Sequence, residues 1–164
     1  MTTLEHSERD RTQVEGQLGR PLRGRWSVAR RCHLGVPMVI ENHPIGDDGA
    51  PFPTLFWLTC PMLVKRTSKQ EATGRMRALN EALAASEGAR ERVDEAVARL
   101  VRRRDSHAMI LDPGPPPGGG PNRIKCLHAH VAQELADPPN PVGAVVLAQV
   151  GWPDCRVPCV EGAG

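Results

Sequence analysis

The chain has 164 residues, a formal net charge of +2, 16 glycines and 16 prolines, and its only aromatic residues are Trp26, Phe52, Phe56, Trp57 and Trp152. That length suits one domain able to bury a core without staples, and the near-neutral balance of charge argues against a dedicated polyanion binder. No apolar run approaches the roughly 20 residues that span a bilayer, and the N-terminus MTTLEHSERDR is charged where a signal peptide is apolar, so a soluble, cytoplasmic protein with reduced thiols and no membrane partner is expected.

Residues 1–18 predict a short helix with Leu4, Val14 and Leu18 as sparse apolar positions, ended by Gly16, Gly19 and Pro21. Trp26, Val28 and Arg30 then alternate with Arg25, Ser27 and Ala29, and Val36, Met38 and Ile40 alternate with Pro37, Val39 and Glu41; a period of two belongs to strands. The run TLFWLT at 54–59, bounded by prolines, gives a third strand. A tight turn at 33–35 and a loop at 43–53, with Asp47-Asp48-Gly49 as a turn, join the three into an antiparallel meander.

Pro61 suits the first position of a helix that runs to about Glu71 and breaks near Gly74. Met76, Leu79 and Leu83, and after Gly88 Val93, Ala96, Val97, Leu100 and Val101, keep helical spacing. Arg102 to Arg104 fit the C-terminal end of such a helix, where its dipole favours positive charge. DPGPPPGGGP at 112–121 holds five prolines and four glycines, so it is a linker or a covering loop. Asn122 is placed to cap a helix carrying KCLHAH at 125–130, and Asp137-Pro138-Pro139 ends it. Asn140 and Pro141 open a last helix to about Val150, followed by an irregular tail over 151–164. The expected fold is α+β: one domain over 1–150, with a small antiparallel three-stranded sheet packed against about five helices.

In a meander the ends of the first and third strands share one edge, which brings Cys32 and His33 near Cys60. Cys60 precedes Pro61 at a helix N-terminus, where the dipole favours a thiolate, so it is the candidate nucleophile. A regular helix turns about 100° per residue; it pairs Cys126 with His130 and sets His128 on an apolar stripe with Ile124, Leu127, Val131 and Leu135. The preferred site joins Cys32, Cys60 and one or both of Cys126 and His128, with His33 and His130 second in rank; zinc accepts such a set. Three readings stay open for these cysteines: a bound metal, buried inert thiols, and a nucleophilic or redox thiol. His128 on its stripe reads as a hydrogen-bonded core histidine, and Cys155 and Cys159 have no assigned role.

Arg20, Arg23, Arg25, Arg30 and Arg31 stand together with no acid among them, a set that could meet phosphates. Trp26 alone is too little aromatic surface for base stacking, so a small anion near Arg30 and Arg31 is preferred to nucleic acid. Arg123 and Lys125 offer a second, weaker anion site at the predicted helix start, and Glu41 is expected to pair with an arginine.

The block RRCHLGVPMVIENHPIGDDGAPFPTLFWLTCP, the GGGPNRIKCLHAHVAQELA block and the following NPVG resemble the family catalogued as domain of unknown function 501, found mainly in bacteria. The resemblance covers about residues 12 to 150, and its most specific parts are the stretches at 48–59 and 125–128. It implies no activity, but Cys32, Cys126 and His128 match its pattern, while some members carry histidine where this chain has Cys60 and Gln133. Two function classes follow. The first is a regulatory or interaction protein with a structural Cys/His site and a protein or small-anion partner. The second is a metal- or cysteine-dependent enzyme acting on a small anionic substrate at the sheet edge. The first is preferred, because no acid, base and nucleophile set assembles from the sequence.

Overall fold

The computed structural model describes residues 4–110, 114–120 and 122–161, so residues 112, 113 and 121 of the Gly/Pro-rich loop and both extreme ends lie outside the described residues. Helix α1 (Glu8–Leu18) starts at a capping box: the Ser7 hydroxyl accepts from the Asp10 amide at 3.1 Å while the Asp10 carboxylate takes the Ser7 amide. Asp10 also pairs at 2.8 Å with Arg31, the last residue of β1 (Trp26–Arg31), which pins the helix to the sheet. Burial alone would raise the Asp10 carboxyl, but the hydrogen bonds from Arg31 and Ser7 outweigh it and hold the group below its ordinary value.

Strands β1, β2 (Pro37–Asn42) and β3 (Phe56–Leu58) form the expected antiparallel meander, with Val28 opposite Ile40 and Ile40 opposite Trp57. Every residue of central β2 is buried, because both faces of the sheet are covered. Ile40 joins Val14, Leu22 and Trp26 in a small core beside α1, whereas Val39 joins Phe56, Leu63 and Val131 in the main core.

Three helices follow the sheet: α2 (Pro61–Ala72), α3 (Arg75–Ala84) and α4 (Glu87–His107). The break near Gly74 is present, but the next one falls at Ser86, whose hydroxyl accepts from the Ala89 amide at 3.2 Å, so Gly88 lies inside α4. The arginine run does not simply face solvent. Arg103 turns back to β2 and grips Glu41 with Nε to Oε1 at 2.6 Å and Nη2 to Oε2 at 2.8 Å, while His107 Nε2 donates to Oε1 at 2.8 Å.

A two-residue ladder without a strand pattern in the sequence, β4 (Gly119–Gly120) against β5 (Arg123–Ile124), changes the next helix. Gly119 permits it, since a Cβ there would collide with the Arg123 carbonyl. With residues 123 and 124 extended, α5 (Leu127–Ala136) begins after Cys126 instead of at Asn122. Helix α6 (Pro141–Val150) starts as the sequence predicts, the Asn140 side chain accepting from the Gly143 amide at 3.0 Å. Gly143 lets α6 approach α5 closely, because a Cβ would strike the His130 carbonyl and the Glu134 side chain. The architecture is α+β, and no helix among the described residues is long and apolar enough to cross a membrane.

Candidate functional site

The late start of α5 decides the geometry around Cys126. As the residue before the helix it escapes the helical step that would part it from His128, and its Sγ lies 4.0 Å from His128 Nδ1. Helix α2 packs alongside and contributes Glu71 from its last turn, Oε1 standing 3.2 Å from the same nitrogen. The donor atoms of Glu71, Cys126 and His128 all lie within 4.8 Å of one another, and all three residues are partly buried. His128 Nε2 is 3.2 Å from the Val64 carbonyl, an outer contact of the kind that orients metal-binding histidines. The Cys126 sulfur raises His128 to about 9; burial opposes this, and Glu71 and the Val64 carbonyl add to it. Glu71 Oε1 also accepts from the Leu127 amide at 2.8 Å, so it caps α5 from a neighbouring helix. Sequence spacing gave no sign of Glu71, whose role arises only from the packing of α2 on α5.

The core histidine is His130, not His128. His130 Nε2 donates to the Gly118 carbonyl at 2.8 Å, and Nδ1 accepts from Asn140 Nδ2 at 3.0 Å, which fills both ring nitrogens. Asn140 Nδ2 also donates to Gln133 Oε1 at 2.9 Å, and Gln133 Nε2 donates to the Ala96 carbonyl at 2.6 Å. Burial pushes His130 below its ordinary value, so the ring stays neutral within this network. His128 instead faces α2, where Ser68 Oγ lies 3.1 Å from Nε2.

At the sheet edge Cys32 and Cys60 both line a cavity of about 20 Å³, with Cys155 and Cys159 and not Cys126 as the other cysteines of the lining. Burial pushes the Cys60 thiol above its ordinary value, and the Leu63 and Met62 amides at the start of α2 do not overcome it; the thiolate expected from the helix dipole is therefore not favoured. His33 is occupied at both nitrogens, Nε2 donating to the Cys155 carbonyl at 2.7 Å and Nδ1 accepting from Trp152 Nε1 at 3.3 Å.

The arginines divide. Arg30 lies over the Trp152 ring at 5.8 Å and Arg31 is paired with Asp10, so both hold structure together. Arg123 and Lys125 are exposed on and just after β5, outside any helix. Arg20, Arg23 and Arg25 instead line a cleft of about 540 Å³ that also takes in Phe52, Trp57 and the 43–48 loop. The Arg20 guanidinium rests over Trp57 at 4.9 Å, and Arg25 donates to His43 Nε2 at 2.8 Å. Asp47 and Asp48 on the rim each accept a backbone amide, from Gly24 at 2.8 Å and Ala50 at 3.0 Å.

Fold and sites together define an α+β domain with an arginine-lined cleft and two separate cysteine-containing clusters. The chain belongs to the family described as protein of unknown function (DUF501), matched over residues 28–148. No curated protein and no solved structure matches it.

Proposed function

We propose that this is a cytoplasmic regulatory protein that binds a small anionic ligand, with its cysteine and histidine clusters in supporting structural positions. The cleft carries this reading. Arg20, Arg23 and Arg25 converge there without a carboxylate salt bridge among the described residues. Its volume of about 540 Å³ falls in the range of roughly 300–1,000 Å³ typical of small-molecule sites. The Phe52 and Trp57 rings, tilted 37° to each other with centroids 6.2 Å apart, add aromatic lining, and Asp47 and Asp48 temper the positive charge. Together these features suit a phosphate or carboxylate attached to a planar body better than a bare polyanion.

Titration calorimetry with inorganic phosphate, phenyl phosphate and adenosine monophosphate tests it. The ring-bearing phosphates are expected to bind more tightly than phosphate, and Arg23→Ala and Arg25→Ala to weaken them about tenfold each, the loss of one charge-assisted hydrogen bond. Absence of saturable binding by all three, or binding untouched by both substitutions, would remove the cleft as the ligand site.

A second reading, a metal- or cysteine-dependent enzyme acting on a small anionic substrate, is favoured by the Glu71, Cys126 and His128 donors. Three protein donors with a fourth position left to water or substrate is the pattern of catalytic and not structural zinc, and a zinc ion held there would supply a Lewis acid. Protein prepared under reducing conditions without a polyhistidine tag is expected to lose about one equivalent of zinc, by mass spectrometry, on combined Glu71→Gln and His128→Ala substitution. Equal metal content in variant and wild type, with no difference in zinc uptake, would sink this reading.

A further inference from the structure

We propose that Cys32, Cys60, Cys155 and Cys159 form an all-sulfur site for one thiophilic divalent ion, of which zinc is the natural occupant, and that the ion fastens the C-terminal segment to the sheet edge. Four of the chain's five cysteines line a single cavity although they come from three distant stretches of sequence. The fold shows how this assembly arises. Cys32 follows β1 and Cys60 follows β3, and the antiparallel meander sets both at one edge. Residues 151–159 then cross that edge. They are held by Arg66, which pairs with Asp154 at 2.7 Å and donates to the Val150 carbonyl at 3.1 Å, and by the His33 bond to the Cys155 carbonyl.

The chemistry of the lining selects the occupant. The cavity, about 20 Å³, holds one small species, since a single water needs roughly 10–15 Å³ and an organic ligand far more. Apart from Gln17 the other lining residues are apolar, with no carboxylate and no imidazole, so oxygen-seeking calcium and magnesium are disfavoured and a thiolate-binding ion is favoured. One donor to sulfur is already in place: Gln17 Nε2 donates to Cys159 Sγ at 3.8 Å. Such N–H bonds orient metal-bound sulfurs and offset their charge. No three of these sulfurs lie mutually within 4.8 Å, so binding draws them inward by side-chain rotation, for which half-buried Cys155 and exposed Cys159 have room. A closed four-sulfur set is the structural type of zinc site, so the proposed role is a staple and not catalysis.

The full-length protein, reduced and stripped of metal, is titrated with cobalt(II) in the absence of oxygen. Intense sulfur-to-cobalt charge-transfer absorption with tetrahedral visible bands is expected, saturating at one equivalent for the four-thiolate set. Cys155→Ser with Cys159→Ser should abolish the four-thiolate spectrum, whereas Glu71→Gln with His128→Ala should leave it intact. Because Cys60 is buried, the serine substitutions are confined to the C-terminal segment, where loss of folding is not expected. The same pair should increase proteolytic cleavage after residue 150 in zinc-loaded protein. Absence of thiolate charge transfer in wild type would overturn the proposal, and so would a spectrum unchanged by the two serines. A count of three free thiols instead of five in protein isolated without reductant would replace the ion with a disulfide.

Discussion

Glu41→Ala is expected to lower the unfolding free energy by about 3 kcal/mol in urea at neutral pH, at the low end of the roughly 3–5 kcal/mol lost when one partner of a buried ion pair is removed. The carboxylate is almost wholly buried on β2 and accepts three hydrogen bonds, two from Arg103 and one from His107. Without it, the His107 Nε2 proton is left without its buried acceptor, its side chain being only 3% exposed. Arg103, 43% exposed and resting near Phe56, can turn to water, which places the expected cost at the low end. The same argument makes Arg103→Ala milder than Glu41→Ala.

The group also gives a signed pH dependence. Burial alone would raise the Glu41 carboxyl, but the hydrogen bonds from Arg103 and then His107 outweigh it and hold it below the ordinary carboxylate value. A depressed folded-state value means that the unfolded chain takes up the proton first. The stabilisation is therefore complete above the ordinary glutamate range and is lost as pH falls through the lower, folded-state value. Glu41→Gln, which keeps the shape but cannot ionise, should flatten the acid limb of the stability curve. A difference below about 1 kcal/mol for Glu41→Ala, with an unchanged acid limb, would show that the cluster behaves as an ordinary surface pair.

What the sequence revealed and concealed follows the range of the interactions. Strand alternation and the Asn140-Pro141 helix start are local, so the meander and α6 could be read directly. The start of α5 could not, because Gly119 and Gly120 compete for residues 123 and 124 by pairing with them as strands. That competition freed Cys126 from the helical step and allowed its approach to His128. The exchange of roles between His128 and His130 has a similar origin. A single apolar stripe assumes a helix with one buried face, whereas α5 is covered by α2 on the His128 side and by α6 and the Gly118 segment on the His130 side. Cys155 and Cys159 were hidden for a further reason: their position depends on contacts of Arg66 and His33 more than 80 residues away in the chain.

Asn140→Ala should destabilise the protein by about 3 kcal/mol, since it removes a helix cap worth about 1 kcal/mol and leaves buried polar groups unpaired at about 1–3 kcal/mol each. Asn140 is fully buried and its amide serves three neighbours at once. Its oxygen accepts from the Gly143 amide in the first turn of α6, and its nitrogen donates to His130 Nδ1 and Gln133 Oε1 on α5. Alanine cannot replace any of these bonds, and the cavity it leaves is bounded by the very acceptors that lost their donor. For a domain of this size, thermal unfolding should shift down by about 6–12 °C. Asn140→Asp separates the two contributions. It keeps the cap oxygen for Gly143 but offers His130 and Gln133 a carboxylate instead of a donor, so it should restore little of the loss at neutral pH. His130, held neutral by burial in the native protein, would then be driven to take up a proton and pair with the new carboxylate. Recovery of wild-type stability by aspartate with His130 still neutral, read from its imidazole resonances across pH, would show that the cap alone accounts for Asn140 and that its donor bonds to α5 contribute nothing.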